Sequence, residues 1–118
     1  MYDKNNLFAK IISNEIKANK FYEDDEVIAF HDIDPIAEIH ILVIPKGDYI
    51  NYYDFVKRAT QKQCLHFFQT LNVIVEKLHI EDSFRLISNN GSGQSVQHFH
   101  VHIISGKILK ETDIIQTN

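Results

Sequence analysis

Apolar residues recur along this chain with two different periods, and the switch between them marks out helices and strands. Near the N-terminus, Leu7/Ile11 and Phe8/Ile12 pair at i,i+4. This predicts a short helix over residues 7–13, with Asn5 or Asn6 as its N-cap. Thr60-Gln61-Lys62-Gln63 has the T-x-x-Q pattern of a capping box. After it Cys64, Phe67, Phe68, Leu71, Val75 and Leu78 return every three or four residues, predicting a helix over 61–78. Lys77 and His79 near its end suit the negative pole of the helix dipole. Phe21-Tyr22 and residues 27–30 read as strands on either side of Glu23-Asp24-Asp25-Glu26, a solvated hairpin tip. Residues 39–44 are apolar on both faces and are stopped by Pro45 and Gly47, the pattern of a central, covered strand. Residues 84–88 and 97–104 read as the last two strands, and residues 107–118 show no clear period. Two helices and five strands with hairpin-length connections predict an α+β domain with a five-stranded, antiparallel sheet.

Composition narrows the class. The 118 residues fit one domain over 1–118, and 44% hydrophobic with 24% charged is an ordinary globular balance. A net charge of −4 argues against an electrostatic grip on nucleic acid or an anionic membrane. A single cysteine, Cys64, cannot close an intrachain bridge, which suits a reducing cytosol, and its helical spacing makes it a packing residue. No apolar run approaches a membrane span, and the first residues lack the basic head and apolar core of a secretory signal. A cytoplasmic protein without a membrane partner is expected.

The seven histidines change the picture, because three of them fall within five residues. In Gln97-His98-Phe99-His100-Val101-His102-Ile103-Ile104, strand alternation puts His98, His100 and His102 on one face and Phe99, Val101 and Ile103 on the other. Successive imidazoles then stand ~6.7 Å apart at the Cα level. Two kinds of chemistry fit such a row. One is a metal site, for which His-x-His is a start. However, the outer pair would be ~13 Å apart along a strand, and the chain has neither Cys-x-x-Cys nor His-Glu-x-x-His to complete a set. The other is phosphate chemistry. The stretch Gly91-Ser92-Gly93-Gln94-Ser95 runs directly into the row, and its glycines let backbone N–H groups surround an anion. A neutral imidazole beside that loop can attack phosphorus, and its neighbours can hold phosphoryl oxygens or move a proton. His66 and His79 have no comparable company and read as surface or packing residues.

His98-Phe99-His100-Val101-His102-Ile103-Ile104 resembles the His-φ-His-φ-His-φ-φ signature (φ apolar) of the histidine triad nucleotide-binding proteins. The resemblance extends over nearly the whole chain, through Leu7-Phe8-Ala9-Lys10-Ile11-Ile12, Phe30-His31-Asp32-Ile33-Asp34-Pro35, His40-Ile41-Leu42-Val43-Ile44-Pro45-Lys46 and Gly93-Gln94-Ser95-Val96. The Gly-Gln-Ser-Val lead-in resembles the Hint branch. The resemblance implies that His100 is the nucleophile, that His98 orients it, that His102 contacts the phosphate and that His40 buttresses the row. It implies that Asp32 binds ribose hydroxyls with Ile33 beside it, and that Phe8, Ile11, Phe30 and Leu42 hold the base. Asn89, Gly93, Gln94 and Ser95 would surround the phosphate, with Ser95 helping to protonate the leaving group. The implied activity is hydrolysis of a purine nucleoside 5′-phosphoramidate, AMP-like in its nucleotide part, by a homodimer with a continuous sheet and no cofactor. The alternative is a nucleotide-binding scaffold with little turnover. Two departures stand out. Where some members carry Cys-x-x-Cys as half a zinc site, this chain has Asn6 and Ala9. It also contains no Trp, so the Trp-containing C-terminal tail of many members is missing.

Overall fold

The computed structural model describes residues 1–110. Its first helix, α1 (Leu7–Ile12), starts where the Asn6 side chain accepts a hydrogen bond from the Ala9 N–H. The hairpin of β1 (Lys20–Glu23) and β2 (Val27–His31) follows, then the nine-residue β3 (Ala37–Pro45). Two helices come next, α2 (Tyr52–Arg58) and α3 (Gln61–Lys77), and the chain closes with β4 (Arg85–Ile87) and β5 (Val101–Ile108). All strand pairs are antiparallel in the order β1-β2-β3-β5-β4, so β3 is central, as its two-faced apolar sequence requires.

Alternation gives the sheet two separate packing faces. Val27, Ala29, Ile41, Val43, Phe99, Val101 and Ile103 meet Phe55 of α2 and Phe67, Leu71, Ile74 and Val75 of α3. Cys64 packs at the margin of this cluster, in the packing role expected of it. Ile28, Phe30, Leu42 and Ile44 point the other way and meet Phe8 and Ile11 of α1. His40 shares that second face by alternation along β3. The capping box at Thr60 is complete, with each partner's side chain bonded to the other's backbone N–H. Asp24 fastens the acidic hairpin tip by accepting from the Glu26 and Val27 N–H groups and the Tyr22 hydroxyl. It also pairs with His66 at 2.7 Å, which gives that histidine a structural partner.

Two sequence expectations need correction. Among the described residues there are three α-helices, not two. In α2 only Phe55 is buried while Tyr52, Tyr53 and Val56 are exposed, so no apolar stripe advertises it. The last strand begins at Val101 rather than residue 97, and it runs on to Ile108 into the stretch that lacked a period. The physical reason is Pro45. Val43 pairs with Val101, so the same register would set Pro45 opposite Phe99. Proline has no N–H for the ladder, and the Phe99 N–H bonds the Tyr49 carbonyl instead at 2.7 Å. His98 and His100 therefore stand just ahead of the strand, and only His102 lies within it. The tail from residue 111 onward lies outside the described residues.

Candidate active site

Strand register assembles the deep part of the site. Leu42 pairs with His102 and His40 with Ile104, which makes His40 and His102 diagonal neighbours across β3 and β5. Their rings meet with His40 Nε2 2.9 Å from His102 Nδ1. His40 Nδ1 accepts the Ile36 N–H at 3.2 Å. In the neutral ring the proton must then sit on His40 Nε2 and be donated to His102, so His102 carries its own proton on Nε2.

The same accounting fixes the other two rings. His100 Nδ1 lies 2.6 Å from the His98 carbonyl and must donate to it, which leaves a free lone pair on Nε2. His98 Nε2 lies 2.7 Å from the Pro45 carbonyl and is likewise a donor. Its Nδ1 is therefore an acceptor, and the Tyr2 hydroxyl sits 2.5 Å from it. Phe8 braces the row edge-on, 5.0 Å from the His100 ring and 6.3 Å from that of His98.

All four imidazoles are buried, and burial disfavours their charged forms. It lowers the pKa of His98 to about 4. It brings His102 down to about 3, with repulsion from His100 and His40 adding to the effect. His100 and His40 are lowered in the same direction by burial, with Asp32 pulling the other way on both. At neutral pH the row is uncharged: one ring presents a bare nitrogen and its neighbour an N–H.

His100 and His102 line a cavity of about 240 Å³. Phe8, Ile11, Phe30, Asp32, Ile33, Leu42 and Ser95 line it too, so nine of the residues singled out from sequence meet there. The wall is mostly apolar, and Asp32 lies at the histidine end, with its carboxylate close to His40 and His102. Ile33 is 95% exposed and overhangs the mouth. His40 and His98 do not line the cavity: the His40 ring bonds the His102 ring, and the His98 carbonyl bonds the His100 ring. Asn89, Gly93 and Gln94 do not line the cavity. Gln94 is a brace for the glycine loop, accepting from the Gly91 N–H and donating to the Ile50 carbonyl at 2.5 Å.

Sequence patterns missed Leu7, Ile16, Lys17, Ala18, His31 and Val96 on the wall, and Tyr2 behind it. Leu7, Ile16, Lys17, Ala18 and His31 are scattered across α1, its following loop and β2, and Val96 precedes the histidine row. Two of them carried a signal: Leu7 adjoins the Phe8/Ile11 stripe, and Val96 ends the Gly-Gln-Ser-Val lead-in.

Asp32, His40 and His102 bring three potential ligand atoms within 4.8 Å of one another. They do not form a ready ion site, because His40 Nε2 is committed as a proton donor by the Ile36 N–H on its other nitrogen. Asn6 and Ala9 offer no thiolate either. Their side chain and N–H are used to cap α1.

A HIT domain model matches residues 13–108. The chain belongs to the HIT family. An uncharacterised HIT-like protein of Rickettsia prowazekii is 47% identical over 112 residues, spanning 92% of this chain and 93% of its own. A solved structure described as a HIT family hydrolase from Legionella pneumophila superposes with a TM-score of 0.81 at 30% identity, covering 92% of this chain and 99% of that one. Another, described as a HIT family hydrolase from Clostridium thermocellum, gives 0.76 at 34% identity, covering 93% and 97%. The five-stranded antiparallel sheet with its helices is the HIT fold.

Proposed function

We propose that this HIT protein hydrolyses nucleoside 5′-phosphoramidates, taking purine nucleotides of the AMP type, through a covalent nucleotidyl-histidine. The observation that carries this reading is the tautomer of His100. Its Nδ1–H is spent on the His98 carbonyl, so the lone pair on Nε2 is free on a ring that lines the cavity. The solved neighbours described as hydrolases support hydrolysis in general.

In the first step the Nε2 lone pair of His100 bonds to phosphorus, the P–N bond breaks, and the departing nitrogen takes a proton through the Ser95 hydroxyl. Water then attacks phosphorus, the P–Nε2 bond breaks, and the proton from water restores the hydroxyl. The products are a nucleoside monophosphate and an amine. Charge on the phosphoryl oxygens is met by the His102 Nε2–H and by the N–H of Ser95, at the end of the loop that lines the cavity. Asp32 at the polar end suits ribose hydroxyls, and the Phe8, Ile11, Phe30 and Leu42 wall suits a flat base.

Substituting His100→Gly removes the nucleophile and enlarges the cavity. Turnover of an adenosine phosphoramidate should fall by 10³-fold or more, since the covalent route is lost, while adenosine monophosphate still binds. His102→Ala keeps the nucleophile and should be milder. Rapid-quench mass spectrometry of the wild-type protein should find the nucleotidyl group on His100. Tight monophosphate binding with no turnover of any phosphoramidate, and no adduct, would instead identify a nucleotide-binding scaffold.

We also propose that the protein acts as a symmetric homodimer in the cytosol. An exposed apolar surface formed by Leu65 and Phe68 of α3, Leu86 of β4 and Phe84 just before β4 supports the dimer.

A further inference from the structure

The row is held by fewer ladder bonds than its sequence suggests. His98 and His100 precede β5, so discrete contacts must fix them. The Phe99 N–H bonds Tyr49, and the His98 ring bridges two distant parts of the chain, donating to Pro45 on one side and accepting from Tyr2 on the other. Tyr2 is itself placed by a turn. The Asp3 carbonyl accepts from both the Asn6 N–H and the Asn6 side chain, and Asn6 caps α1. This sets the Tyr2 ring edge-on to His98, with centroids 5.5 Å apart.

We propose that the Tyr2 hydroxyl is a positioning group for the nucleophile: by donating to His98 Nδ1 it pins from the second side the ring that the Pro45 carbonyl anchors from the first, and so holds still the His98 carbonyl that orients His100. Without the hydroxyl, the buried Nδ1 has no donor. The His98 ring then keeps its proton on Nε2 for the Pro45 carbonyl but is tethered from one side only. Burial raises the Tyr2 phenol above its ordinary pKa, so it keeps its proton through the neutral range. Tyr2 does not line the cavity, and its effect passes entirely through His98 and the 98–100 backbone.

The proposal rests on His100 being the nucleophile, so its test needs one arm that uses no substrate. Tyr2→Phe deletes the hydroxyl and keeps the ring. Two-bond nitrogen–proton NMR of the histidine rings in the free wild-type protein should show His98 as the Nε2–H form and His100 as the Nδ1–H form. In Tyr2→Phe, His98 should stay the Nε2–H form with its Nδ1 signal shifted by the loss of its donor, and the His100 ring signals should broaden or shift. Turnover should show kcat lower by about threefold to tenfold, the size of one neutral hydrogen bond, with KM within about twofold. Unchanged His98 and His100 ring signals would overturn the proposal. So would changed signals with an unchanged kcat, or a loss of activity explained wholly by a lower melting midpoint. A wild-type protein without phosphoramidate turnover would sink the proposed activity, while the ring signals would still decide whether Tyr2 positions His100.

Discussion

At the scale of single residues, the four central imidazoles behave as one proton-accounting problem. The Ile36 N–H fixes His40, His40 fixes His102, Pro45 and Tyr2 fix His98, and the His98 carbonyl fixes His100. The result is a neutral imidazole at His100 in a mostly apolar wall, which on the proposed mechanism has a consequence for pH. An ordinary imidazole titrates near 6.5, and protonation would remove the His100 lone pair. Burial lowers the pKa of His100, so the fraction with a free Nε2 persists to lower pH. The acid limb of kcat/KM should therefore lie below 6.5. A steady-state pH profile checks this, and an acid limb at or above 6.5 would mean that His100 is not held in the neutral form described. The alternation that placed the three histidines on one face was legible within a seven-residue window. Their tautomers were not, because each depends on a partner distant in sequence: Pro45 is 53 residues from His98, and Tyr2 is 96.

At the scale of elements, the sheet and both long-signal helices were readable because each signal is local. Thr60 and Gln63 lie three residues apart, and the β3 run is apolar on both faces up to Pro45. The same locality makes the α3 cap easy to test. Thr60→Ala removes the acceptor for the Gln63 N–H and one half of the capping box. It should cost about 1 kcal/mol and lower the melting midpoint by about 3–5 °C. Because Thr60 lies far along the chain from the histidine row and outside the cavity wall, kcat should be unchanged. Thermal melts monitored by circular dichroism, paired with an assay, check both halves. Elements decided by non-local facts escaped the sequence. The start of β5 is set by what stands opposite Phe99, and nothing near residue 97 announces that it is a proline. Helix α2 escaped for a different reason. Its Asn51 cap bonds the Asp54 N–H and its last turn is pinned by the Arg58–Asp54 ion pair. These are polar devices that hold a one-anchor helix without an apolar stripe.

At the scale of the whole molecule, the two faces of the sheet are covered unequally. The α2/α3 side carries the larger aromatic cluster, while the α1 side is thin and opens as the cavity. The surface beyond α3 then has an unmet apolar requirement. Leu65 and Phe68 form a second stripe on α3, turned away from the Phe67/Leu71/Ile74 stripe that meets the sheet, and they are 59% and 44% exposed. Phe68 and Leu86 share one shallow depression with Phe99 and Val101, and Phe84 adjoins it. Beside this patch, β4 is an edge strand of three residues, whose outer N–H and C=O groups have no strand partner among the described residues. An apolar patch next to an open strand edge is what a two-fold, self-complementary contact uses, with β4 pairing against its own copy and α3 packing on α3. Phe68→Glu places a charge at the centre of that contact on both copies at once, so the penalty is doubled by symmetry. Light scattering after size exclusion should give a dimer for the wild-type chain at micromolar concentration and a monomer for Phe68→Glu, with the melting curve otherwise cooperative. A monomeric wild-type protein under those conditions would remove the dimer from the proposed function and leave the patch without an explanation. The histidine row would be untouched, since all four of its rings are held from within one chain.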